Sequence, residues 1–374
     1  MSSLSRFFVY WRTIVVRDRE IVDAVVHPEH RGPSAELQAA LDAWPGPSYW
    51  ADDDGDGRLV LIRALARPQS ERWWLHAALF LMTFGTVWMG GALIAGSPVG
   101  LPFDRDLYLL GPRLADWFED LRPGLGFAVA LMGMLLAHES GHYVLARRYG
   151  IDTSPPYFLP FHPMFNIIGT LGAFIRLRSP IVDRRQLLDI GAAGPWAGFV
   201  VALAILLVGL LQSEAVLDTA GPTSQYIAIA SDRYIYLGDS PIMFAMCRLI
   251  LGQGTVALTP VAFAGWIGVF VTMLNLLPMG QLDGGHVLYA LVGERHRRLA
   301  PVLFLAVLLL ATVWLFWLFW AALVLLLGRG RLSHPSVLDR HRPLPRPRRW
   351  FGWATLLLFA ATFTPAPFQV VSIA

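Results

Sequence analysis

His138-Glu139-Ser140-Gly141-His142 sets two imidazoles four residues apart, hence on one helical face, with a carboxylate beside them. Histidines at that spacing can ligate one zinc ion, and Glu139 can take a proton from water bound to it. The string closes an apolar run that includes Leu125, Phe127, Val129, Leu131, Met132, Met134, Leu135 and Leu136, long enough to lie in a bilayer. Ionisable groups at such depth are costly and mark function by default, so the expected chemistry is hydrolysis where water is scarce.

Two histidines leave zinc short of the three protein ligands usual at catalytic sites. Among the few acids near apolar segments Asp283 stands out, in Asn275-Leu276-Leu277-Pro278-Met279-Gly280-Gln281-Leu282-Asp283-Gly284-Gly285-His286, where Pro278 and the glycines should break or kink the helix beside the carboxylate. His162, in a loop, and His286, just past the aspartate, read as surface or supporting groups. Asp189 reads as a charge at a helix N-terminus.

The elements that must hold these residues follow from composition. The 374 residues are 55% hydrophobic and 15% charged, with a mean hydropathy of +0.50, which places the chain among polytopic membrane proteins. All 30 basic residues are arginine. They flank apolar runs as membrane anchors do and form no basic stripe with interleaved aromatics, so nucleic acid is not an expected partner. A single cysteine, Cys247, excludes an internal disulfide and a cysteine-based metal site. Residues 1–20 hold no continuous apolar stretch, so no cleavable signal is expected.

Apolar runs of spanning length cover about residues 73–96, 122–146, 187–211, 257–279, 299–327 and 351–370. The fifth is long for one span and short for two. Arg147, Arg148, Arg176, Arg178, Arg184, Arg185, Arg295, Arg297 and Arg298 fall in loops on one side, against Arg105, Arg113, Arg122, Arg233 and Arg248 on the other, which puts the N-terminus in the cytoplasm. Arginines from Arg329 to Arg349 join the richer side only if the fifth run turns back near Trp314 to Trp317, and the charge bias favours that hairpin. The expected fold is an α-helical polytopic membrane protein with about six to seven transmembrane helices. His138 lies about 13 Å along the axis before Arg147 at 1.5 Å per residue, and the fourth run ends near Asp283, so both sets of candidate ligands lie toward the cytoplasmic side.

Residues 1–72 read as a small cytoplasmic αβ domain ahead of a transmembrane domain over 73–374: a strand at Ile21 to Val26, a helix from Ser34 to Trp44 capped by Ser34, and strands at Tyr49 to Asp52 and Arg58 to Leu65 around Asp54-Gly55-Asp56-Gly57. The acidic cluster is a turn and not a calcium loop, because Arg63 stands where a bidentate glutamate is required. In residues 155–178, Pro155, Pro156, Pro160 and Pro163 break any helix, and Gly169 to Arg176 reads as an extended β segment. Irregular backbone at membrane depth is tolerated where it is buried or lines a wet cavity, so a re-entrant β segment beside the metal is the physical reading, with an interfacial loop as the alternative. Gly194 and Gly198 read as a small-x-x-x-small packing pair.

His138 to His142 together with Asn275-x-x-Pro278 and Leu282-Asp283-Gly284-Gly285 resembles the paired signature of the site-2 protease family of intramembrane zinc metalloproteases. Gly169-Thr170-Leu171-Gly172-Ala173 and Ala192-Ala193-Gly194-Pro195-Trp196-Ala197-Gly198 are similar to the branch of plant plastid members and their bacterial relatives. The likeness covers about residues 122–293, with Ser140 in place of a commonly apolar residue. It implies that His138, His142 and Asp283 bind zinc, that Glu139 is the base, and that Asn275 polarises the scissile carbonyl or positions substrate. It also implies that Gly169, Thr170, Leu171, Gly172 and Ala173 pair with an unwound substrate strand. The implied partners are membrane proteins with transmembrane segments and the lipid bilayer, in a bacterial cell membrane. Two alternatives stay open: another kind of membrane zinc protease, and a transporter or regulator whose broken helices hold an ion. Sequence leaves the oligomeric state open.

Overall fold

Alternating apolar residues build the N-terminal sheet. The computed structural model of the chain describes residues 4–16, 19–31, 34–51, 57–64, 71–97, 110–178, 181–216, 225–230, 233–252, 254–334, 337 and 343–372. Strands β1 (Phe8–Val16), β2 (Arg19–Val26), β3 (Ser48–Trp50) and β4 (Arg58–Ala64) pair antiparallel in the order β1-β2-β4-β3. Helix α1 (Ala35–Asp42) is capped by Ser34, whose Oγ accepts from the Leu37 amide at 3.3 Å, and packs Leu37 and Leu41 with Trp44 onto Val22, Ala24, Leu59 and Leu61. The sheet holds one more strand than anticipated: β1 interleaves Arg12 and Thr13 with apolar residues and reads as mixed in sequence. The turn at Asp54 to Asp56 lies outside the described residues.

Asp23, central in β2 and buried, meets Arg58 at 2.7 Å on one neighbouring strand and Arg12 at 2.7 Å on the other. Burial works against the carboxylate, but the hydrogen bonds and charges of Arg58 and then Arg12 outweigh it and hold its pKa below the ordinary value. The stabilisation is thus complete above about pH 4, the unfolded range, and is lost as pH falls through the lowered folded value. Asp23→Asn should cost this sheet about 1–3 kcal/mol at neutral pH. Hydrogen exchange over residues 8–26, corrected for intrinsic rates, should show the loss at pH 7 and a shallower acid dependence in the variant.

Mostly helical chain follows. Helices α2 (Trp73–Ile94), α3 (Leu110–Leu121) and α4 (Leu125–Arg148) precede a hairpin of β5 (Tyr157–Pro160) and β6 (Thr170–Phe174), and α5 (Arg184–Leu210) follows it. Beyond lie β7 (Glu214–Val216), β8 (Gln225–Ala230), β9 (Arg233–Leu237), α6 (Pro241–Leu251), β10 (Thr255–Ala257), α7 (Pro260–Asn275), α8 (Asp283–Val292), α9 (His296–Leu310), α10 (Trp317–Leu327), α11 (Arg346–Thr362) and β11 (Phe368–Ser372). Among the described residues, three helical stretches are long and apolar enough to cross a membrane: Trp73–Ile94, Asp116–Arg148 and Arg184–Leu210. The other apolar helices are shorter, so the fourth run spans only Pro260–Asn275 before Pro278 interrupts it. The fifth run divides into α9 and α10 around residues 311–316, at the expected break. The sixth is helical only to Thr362, because Pro365 and Pro367 end it and β11 pairs with β9.

The centre of the fold is a three-helix stack. A Cβ on Gly268 of α7 would lie 2.6 Å from Ala202 of α5 and 3.1 Å from Met134 of α4, and one on Gly265 would lie 2.7 Å from Leu206. Positions rise on α7 as they rise on α5 in reverse, so the two run antiparallel, and small residues set their spacing. At the far end from the histidines sits a five-stranded sheet, β11-β9-β8-β10-β7, that the sequence did not suggest. Its strands are short, scattered between helices, and joined partly by the parallel pairing of β10 with β8.

Candidate metal centre

His138 and His142 project from one face in the C-terminal half of α4, as their spacing requires, and Asp283 opens α8 after the Pro278 break. The two histidine Nε2 atoms are 3.2 Å apart, and Asp283 Oδ2 lies 3.4 Å from His138 Nε2 and 3.2 Å from His142 Nε2. Ligand atoms of a tetrahedral zinc with bonds of 2.0–2.1 Å stand about 3.3–3.4 Å apart. The donor set of two imidazoles and one carboxylate therefore fits that ion in kind and in spacing.

Each donor is aimed by something else. His142 Nδ1 faces the Ile190 carbonyl at 2.7 Å, where it can only donate, which leaves the Nε2 lone pair toward the other two groups. His138 Nδ1 has no hydrogen-bond partner among the described residues; its ring is held by packing over Gly198, where a Cβ would lie 3.0 Å from the histidine Cβ and 3.1 Å from Nδ1. Gly194 is closer still, since a Cβ there would lie 2.0 Å from His142 Nε2. The pair anticipated as a helix-packing motif is the floor under both rings. Asp283 reaches them because α8 folds tightly back on the end of α7: a Cβ on Gly284 would lie 2.0 Å from the Leu276 carbonyl oxygen.

A cavity of about 250 Å³ opens over the three donors and is lined also by Glu139, Asn275 and Ala173. Glu139 is buried, its Oε1 4.0 Å from His138 Nε2. Asn275 Nδ2, at the last turn of α7, is 3.3 Å from His138 Nε2. Strand β6 runs past the opening, with Ala173, Phe174 and Ile175 in its wall, whereas Gly169, Thr170, Leu171 and Gly172 lie outside the lining. Among the described strands β6 pairs only with β5, in the register Tyr157↔Phe174, Phe158↔Ala173 and Pro160↔Thr170.

The hairpin is clasped by α2. Thr86 Oγ1 donates to the Gly169 carbonyl at 2.7 Å, and His76 Nδ1 lies 3.1 Å from the Pro156 carbonyl. Glu71, just ahead of α2, pairs with Arg178 beyond β6. Sequence spacing gave no sign of these contacts, because the partners of Glu71, His76 and Thr86 lie far along the chain.

One expectation is corrected. Asp189 is not at the helix terminus: Asp183 caps α5 by accepting from the Gln186 amide at 2.8 Å, and Asp189, nearly two turns later, binds Tyr149 and Arg348. His162 stays in the hairpin loop, accepting from the Met164 amide at 3.3 Å. His286 lines the cavity but turns Nδ1 to His334 Nε2 at 2.7 Å, a link invisible to spacing.

Residues 126–319 match the model of Peptidase family M50. The chain is 27% identical over 296 residues to the probable zinc metalloprotease EGY2, chloroplastic, of Oryza sativa subsp. indica, covering 75% of this chain and 49% of that protein. It is 30% identical over 291 residues to the protein of the same name in Arabidopsis thaliana, covering 75% and 48%. Against the probable zinc metalloprotease EGY1, chloroplastic, of Arabidopsis thaliana it is 31% identical over 256 residues, covering 63% and 43%. The chain thus spans about half the length of these relatives. No solved structure matches it.

Proposed function

The chain belongs to peptidase family M50, the site-2 protease family, and from that premise we propose that it is a zinc-dependent endopeptidase that cuts peptide bonds in or near transmembrane segments of membrane proteins. The observation that carries this reading is the meeting of His138, His142 and Asp283 with the Glu139 carboxylate in one buried cavity beside a strand edge. Zinc bound there supplies Lewis acidity and a water that ionises near neutral pH. Glu139 accepts the proton of the attacking water and passes it to the leaving amine. Asn275 donates its amide to the scissile carbonyl oxygen. The outer edge of β6, from Thr170 to Phe174, receives the unwound substrate as an added strand, which satisfies backbone groups that lipid cannot.

The arrangement in the membrane belongs to the same proposal. Met164 and Phe165, at the tip of the hairpin, are 82% and 83% exposed, which suits a segment dipping into lipid or meeting substrate. With α9 and α10 as a turning pair, the arginines of Arg329 to Arg349 share a side with those around α5, and the N-terminal sheet lies on that side, the cytoplasmic one in a bacterial membrane. Substrates are released there by regulated intramembrane proteolysis.

In proteoliposomes with a single-span substrate, the purified chain should hold about one zinc per molecule. A membrane-permeant chelator should stop cleavage, and added zinc should restore it. Cleavage that survives complete loss of zinc refutes the proposal.

A further inference from the structure

Helix α11 has two faces with different duties. Its buried face (Gly352, Thr355, Leu358 and Thr362) turns to the protein, with Gly352 against Leu188 and Leu291 and Thr355 Oγ1 accepting from Trp196 Nε1 at 3.0 Å. Arg348 joins that side by pairing with Asp189 at 3.0 Å. The other face carries Arg346, Arg349, Trp350, Trp353 and Leu357 at helical spacing, and the tryptophans and leucine are 76%, 50% and 70% exposed. Arg346, Arg349, Trp350 and Trp353 line a cleft of about 500 Å³. Neither arginine meets an acidic group among the described residues.

Along one axis of about 16 Å, at 1.5 Å per residue, this face passes from cation through indole to aliphatic side chain. That sequence is the one a phospholipid presents, from phosphate through the glycerol region to acyl chain, with tryptophan at the level between. We propose that the exposed stripe of α11 is a binding site for an anionic phospholipid, with the phosphate between Arg346 and Arg349 and an acyl chain along Trp350, Trp353 and Leu357. A protein partner would require no such gradient. The inner face of α11 bears on α5 and on α8, which carries Asp283.

The test uses the full chain, delipidated in detergent, offered phosphatidylglycerol and phosphatidylcholine of identical acyl chains and read by native mass spectrometry. Phosphatidylglycerol should be retained roughly 10- to 30-fold better, the weight of two arginines near an anionic surface. Arg346→Gln/Arg349→Gln should erase the preference while leaving zinc content and circular dichroism unchanged. Glycerol phosphate at millimolar concentration should not displace the lipid; full displacement would show a headgroup site and overturn the lipid assignment. Equal retention of both lipids by the unaltered chain, or an unchanged preference in the double variant, overturns the proposal. So does a dimer that the double variant dissociates, which would make the stripe a contact between copies.

Discussion

Glu139→Gln is expected to leave zinc content unchanged and to slow peptide cleavage by about 10²–10⁴-fold, the range a positioned general base contributes. The carboxamide has the size of the carboxylate, so the buried space between α4 and β6 is filled as before. It cannot take a proton from water. The proposed metal donors sit on His138, His142 and Asp283, each oriented without help from Glu139: the first by Gly198, the second by the Ile190 carbonyl, the third by the fold-back of α8. Single-turnover cleavage of a single-span substrate, with zinc measured by elemental mass spectrometry on the same preparation, separates the two effects. A variant that retains zinc and cleaves at the normal rate refutes the role of Glu139.

Gly194→Ala is expected to abolish zinc retention and activity together. A methyl group at this position would lie 2.0 Å from His142 Nε2, and it belongs to backbone in the middle of a 27-residue helix, so the ring must leave. Losing an orienting group around a metal ligand typically costs 10–100-fold in metal affinity, and here the ligand atom itself is displaced, so the loss should exceed 100-fold. The sign makes the test informative, because alanine for glycine inside a helix ordinarily stabilises by about 1 kcal/mol. Gly198→Ala is the milder comparison, with its nearest contact at 3.0 Å on the His138 Cβ, and should weaken zinc by less. Competition with a fluorescent zinc chelator reads both. Normal affinity in Gly194→Ala would mean that α5 does not floor the site.

The meeting of His138, His142 and Asp283 could be anticipated because chemistry restricts residue type: few residues ligate zinc, and a histidine pair four apart has one helical geometry. Asp283 was legible for a related reason, as an acid beside a proline and glycines that had to bend the chain. Their orienting groups were not. Glycine at 194 and 198 reads the same whether it admits a neighbouring helix or an imidazole, and a backbone carbonyl such as that of Ile190 has no signature at all. In the fold, long apolar helices showed plainly through hydropathy. The five-stranded sheet did not, since strands such as Glu214–Val216 and Thr255–Ala257 are too short to show a period and their pairing joins distant segments. Asp189 was misplaced because its partner, Arg348, lies far along the chain.

The clasp of α2 on the hairpin redraws the boundary of the working unit. Residues matched to the family begin at 126, past the end of α2, so a fragment cut there would keep both histidines, the aspartate and the glutamate. It would lose Thr86 from the Gly169 carbonyl, His76 from the Pro156 carbonyl and Glu71 from Arg178. Metal and strand edge thus have different minimal lengths of chain. The three proposed ligands lie within the matched segment, while the hairpin that carries the edge depends on a splint encoded ahead of that segment, and a truncation designed around the ligands alone would keep them and lose the splint.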